Sequence, residues 1–79
     1  MRRKIPALSS KKLVKLVRNA GAYFVRHGKG DHDIYERIVD GLRKVAPIQM
    51  GKQELRPEYC LMIFRQFGMT DEEINNVLL

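Results

Sequence analysis

The sequence predicts an α+β domain with one sheet of three antiparallel strands and its helices on one face. Three observations predict it. A stretch with apolar residues at helical spacing runs from residue 9 to a glycine stop at Gly21. Two hairpin signals, the glycine loop at 28–31 and Asp40-Gly41, separate three short stretches of strand composition. Pro57 and Thr70 then open two further helical segments. Helix, three strands, helix and short helix form two layers around one core, within a single domain of residues 1–79.

Ser9 or Ser10 caps the first helix, because a serine oxygen accepts an orphan backbone N–H. Leu13, Leu16, Val17 and Ala20 share one side, and Lys11, Lys12, Lys15 and Arg18 the other. Ala22 to His27 reads as the first strand, Asp33 to Val39 as the second and Leu42 to Ile48 as the third. Pro47 lacks a ladder donor and marks the third strand as an edge. Met50 to Arg56 is a polar connection. Cys60, Ile63, Phe64 and Phe67 form the buried stripe of the next helix, which Gly68 closes. Thr70-Asp71-Glu72-Glu73 is a capping box for a last helix carrying Ile74, Val77 and Leu78.

Charge is unevenly placed. Residues 1–30 hold nine Lys or Arg and no acid, whereas residues 31–79 carry a net charge of −3. A block of one sign points to a polyanion, and the clustering on one helix face points to nucleic acid. Lys11 and Lys12 sit in the first helical turn, where the dipole disfavours cations by roughly 0.5–1 kcal/mol together. A bound phosphate would offset that cost. Lys4, Lys11, Lys12, Lys15, Arg26 and Lys29 are the candidate RNA phosphate contacts. No apolar run approaches a membrane span, and Met1 to Pro6 lacks the apolar core of a signal peptide. One cysteine builds no disulfide, so a reducing cytoplasm is the expected compartment. No ligand set with metal spacing and no nucleotide-cofactor motif is present, so neither metal nor cofactor is expected.

The chemistry-bearing constellation is Arg26-His27-Gly28-Lys29-Gly30-Asp31-His32. With a loop of Gly28 to Asp31, His27 and His32 stand directly opposite, their Cβ atoms roughly 4.5–5.5 Å apart. A loop one residue longer puts them on opposite faces. An opposed pair would supply the base and the acid of RNA transesterification, because imidazole titrates near neutral pH. His32 follows Gly30 at the start of a strand, held by the sheet beside a phosphate-friendly loop, which makes it the first candidate for a catalytic role. His27 is the second proton carrier, with Tyr35 or water as substitutes, and Lys29 stabilises charge on the phosphate.

Lys4-Ile5-Pro6-Ala7-Leu8-Ser9, then Asn19-Ala20-Gly21 and Val25-Arg26, resemble the opening of HicA toxins. Gly30-Asp31-His32 followed by Ile34-Tyr35 is similar to that family's glycine-serine-histidine motif, and Val45-Ala46-Pro47-Ile48 to its third strand. Lys52 to Pro57, Ile63 to Gly68 and Thr70 to Ile74 resemble its linker and closing helices. The resemblance implies a double-stranded-RNA-binding-like α-β-β-β-α fold and ribosome-independent cleavage of mRNA, with His32 as the essential histidine. It also implies a HicB-like antitoxin as partner, in a hetero-oligomer. Two departures stand out. Asp31 replaces the usual serine, either orienting the histidine or closing the turn. Gln49 stands where many members carry a second histidine, and Gly28 or Lys29 resembles a one-residue insertion. The alternative function is a non-catalytic RNA-binding domain of the same fold, acting through a partner protein.

Overall fold

The computed structural model describes all 79 residues. Helix α1 (Ser10–Asn19) starts where Ser9 Oγ accepts the Lys12 N–H at 3.1 Å, so Ser9 is the cap. Ser10 is buried and joins distant segments instead. Its hydroxyl donates to Gln49 O at 2.7 Å and accepts from Lys52 N at 3.0 Å. The helix stops at Gly21, whose φ of +102° is a conformation that L side chains rarely adopt.

Strands β1 (Tyr23–His27), β2 (His32–Val39) and β3 (Leu42–Gln49) form one antiparallel sheet in the order β1-β2-β3. The meander and the edge position of Pro47 match the sequence reading. β2 begins one residue earlier than expected and β3 ends one residue later. The second hairpin turns through Asp40 and Gly41 at φ 51° and 78°, the positive pair a two-residue type I′ turn needs.

Helix α2 (Pro57–Gln66) starts on its proline, and α3 (Asp71–Leu78) on the expected box, with Thr70 Oγ1 accepting Glu73 N and Glu73 Oε1 accepting Thr70 N. Leu13, Leu16 and Val17 of α1 and Cys60, Ile63 and Phe64 of α2 join Tyr35, Ala46 and Ile48 of the sheet in one buried cluster. This α+β arrangement is consistent with the double-stranded-RNA-binding-like α-β-β-β-α order. The connection before α2 is less polar in its role than in its sequence. Leu55 is buried and exchanges two backbone hydrogen bonds with Leu8.

Tyr35 and Arg37 point into the helix layer. Strand alternation therefore turns His32, Ile34, Glu36 and Ile38 to the open face. Arg37 is a buried clamp with three partners. Its Nε donates to Ala20 O at 2.8 Å, Nη1 donates to Phe67 O at 2.9 Å and Nη2 pairs with Glu73. One side chain thus ties β2 to the ends of α1 and α2 and to the start of α3.

Candidate active site

The β1–β2 hairpin sets the site. Its register pairs His27 with Asp33 and Arg26 with Ile34, after a bulge between Phe24 and Arg26. Gly28 N then donates to His32 O at 2.7 Å. A Cβ on Gly28 would lie 2.9 Å from Ile34 Cδ1 and 3.1 Å from His32 O, so a larger residue would displace the Ile34 side chain and move the strands apart by a few tenths of an ångström.

This register corrects the opposed-histidine expectation. The loop is one residue longer than Gly28 to Asp31, which places His27 and His32 on opposite faces. His27 lies on the helix side, its Nδ1 2.8 Å from Asp33 Oδ1 and its ring edge-on to Phe24. Tyr35 also fails as a substitute proton carrier. It is buried on the helix side, its ring edge-on to Phe24 and beneath the Arg18 guanidinium.

His32 opens β2 on the open face, with its side chain 40% exposed. Its Nδ1 stands 3.4 Å from Asp31 Oδ1. The two atoms make no hydrogen bond, but a small rotation of either side chain would form one, with the proton on Nδ1 and Nε2 left as the accepting nitrogen. His32 lines an open hollow of ≈ 480 Å³ with Lys29, Gly30, Asp31, Ile34 and Pro47. Across the ladder its partner is Gln49, the site of the second departure noted above.

A second hollow of ≈ 310 Å³ lies beyond the end of β3, lined by Ser9, Ser10, Lys11, Met50, Gly51, Lys52 and Gln53. Two hydrogen bonds hold the chain between the hollows. Met50 N donates to Asp31 O at 2.7 Å, and Ser10 Oγ donates to Gln49 O.

The six expected phosphate contacts therefore divide. Lys29 shares the His32 hollow, Arg26 pairs with Ile34 at its margin, and Lys11 lines the second hollow. Lys12 and Lys15 are exposed on α1, while Lys4 lines a separate surface recess with Arg2 and Glu58. Lys52 also lines the second hollow, a place not expected of residues 50–56 read as a connection. Ser10 and Gln49 anchor that connection and bring Lys52 to the second hollow. No three His, Cys, Asp or Glu side chains are grouped as metal ligands.

A family model described as the HicA toxin of bacterial toxin-antitoxin systems matches residues 10–69. The chain belongs to the HicA toxin family. Searches of curated proteins and of solved structures gave no match. The HicA match runs from the start of α1 through Met69, so it includes the hairpin, the His32 hollow, the second hollow apart from Ser9, and all of α2. HicA membership makes the chain the toxin of a toxin–antitoxin system, with an antitoxin as its partner. No helix of this HicA chain is long and apolar enough to cross a membrane.

Proposed function

We propose that this toxin is a ribosome-independent endoribonuclease that cleaves mRNA, with His32 as its general acid–base. The observation that carries the reading is one hollow that holds an imidazole, a lysine and a glycine loop on the open sheet face. His32 Nε2 takes the proton of a ribose 2′-hydroxyl, and that oxygen attacks the adjacent phosphorus. The 5′-oxygen of the next nucleotide leaves and is protonated, giving a 2′,3′-cyclic phosphate and a free 5′-hydroxyl. Lys29 stabilises the extra negative charge of the pentacoordinate phosphate. Asp31 orients the His32 ring, and water protonates the leaving oxygen, since His27 lies on the other face. The proposed chemistry needs no metal. The proposed setting is the cytoplasm, with residues 1–79 acting as one domain and a HicB-like antitoxin holding the nuclease in check.

Gln49 favours a second reading. The residue facing His32 cannot exchange protons, so the chain would bind RNA without cutting it. Incubating the purified chain with mRNA in EDTA separates the two readings. Fragments ending in cyclic phosphate support the nuclease, and intact RNA retarded in a gel supports the binding module.

A further inference from the structure

Strand β1 is out of place in a small domain. Tyr23, Phe24 and Val25 are 44%, 38% and 43% exposed, and no residue of β1 belongs to the buried cluster. Its inner edge pairs with β2 and its outer edge with nothing. A bare, apolar edge strand is a template for another strand, and natural proteins usually blunt one with charge, proline or a covering segment.

Charge identifies what fits. Arg18, Arg26 and Lys29 flank this strand or continue it, and none of them forms an ion pair. Arg18 lies on the helix side over Tyr35 of the central strand, whose ring is edge-on to Phe24. The nearby acids are engaged, Asp33 with His27 and Glu36 with Tyr23 and Arg43. Arg26 and Lys29 are therefore free to meet an incoming carboxylate. A second copy would bring a further +6 against this edge, which opposes self-pairing. RNA suits the cations but has no peptide groups to complete a ladder.

We propose that the outer edge of β1 docks a partner protein, which adds an extended segment of acidic and apolar residues as a fourth strand. Main-chain hydrogen bonds hold the segment; alternation puts its carboxylates on the open face beside Arg26 and its apolar residues on the helix side beside Phe24. The added strand lies about 10 Å from β2, two strand spacings away. It therefore lies beyond Arg26, outside the His32 hollow, and competes with RNA for Arg26. The inference rests on the toxin reading only for the existence of a protein partner.

The test titrates the isotopically labelled full chain with a short peptide of alternating glutamate and valine. A control peptide has prolines in place of the valines. The amides of residues 23–27 should shift and become protected from hydrogen exchange with the first peptide alone. Val25→Glu should weaken that binding at least about tenfold through like-charge repulsion, while RNA cleavage stays at the wild-type rate. The wild-type mapping stands even if the variant fails to fold. Equal binding of the proline peptide, shifts confined to residues elsewhere, or concentration-dependent protection of β1 without peptide would each overturn the proposal. So would labelled RNA that alone protects residues 23–27. A chain that binds the peptide at β1 yet leaves RNA intact sinks the nuclease reading and keeps this one.

Discussion

His32 and Gln49 face each other across the β2–β3 ladder on the open side of the sheet. Direct cross-strand partners have Cβ atoms roughly 4.5–5.5 Å apart, close enough for both side chains to reach one phosphodiester. Gln49 can donate and accept hydrogen bonds but cannot deliver a proton. Gln49→His should therefore raise the RNA cleavage rate, by about tenfold or more if general acid catalysis is restored. The rate would be followed against pH, where a second titrating limb should appear. An unchanged rate and profile would mean that no proton is needed from that side.

RNA affinity should fall with salt in proportion to the phosphates neutralised, with a log–log slope of about −0.7 per contact on single strands. Lys29 and Lys52 line the two hollows, whereas Lys4 lies in another recess. Lys29→Ala and Lys52→Ala should each flatten the slope by about 0.7, and Lys4→Ala should leave it unchanged. Equal effects from all three would mean that RNA reads only the overall charge.

The Arg37 clamp predicts an acid limit to stability. Glu73 is held below its ordinary value of 4.5 by the Thr70 backbone N–H, with Arg37 adding to the effect. Glu36 is lowered likewise, by the Tyr23 hydroxyl first and then by Arg43. A lowered carboxylate contributes stability that is present above its unfolded pKa and lost as pH falls through its folded one. Thermal midpoints should therefore hold at neutral pH and drop on acidification below the ordinary glutamate value. Glu73→Gln and Glu36→Gln should flatten that limb. Arg37→Ala should cost on the order of 3 kcal/mol by leaving two carbonyls and a carboxylate without their donor. A midpoint for Arg37→Ala equal to the wild type would remove the clamp from the account.

Local signals made most of the fold legible. Pro57, the Thr70 box, Gly21 and Asp40-Gly41 each act within a few residues, and each stands where its chemistry requires. Non-local pairings were hidden. Nothing in the strand pattern distinguishes a buried Arg37 from a surface one, because its partners come from residues 20, 67 and 73. Lys52 reached the second hollow through Ser10, which read only as a possible cap. In the site, His32, Lys29 and Asp31 were legible because they adjoin one another in sequence. The His27 geometry turned on one residue of loop length. Gly28 sets that length by a close approach to Ile34 and His32, which composition alone does not reveal.

The central claim is that His32 performs proton transfer on RNA. The decisive measurement is the single-turnover cleavage rate of His32→Ala on a defined RNA with EDTA present, beside circular dichroism and RNA affinity of the same protein. The account predicts a native spectrum, near-wild-type affinity and a rate lowered by about 10²–10⁴-fold. A folded His32→Ala protein that cuts RNA at the wild-type rate would contradict it.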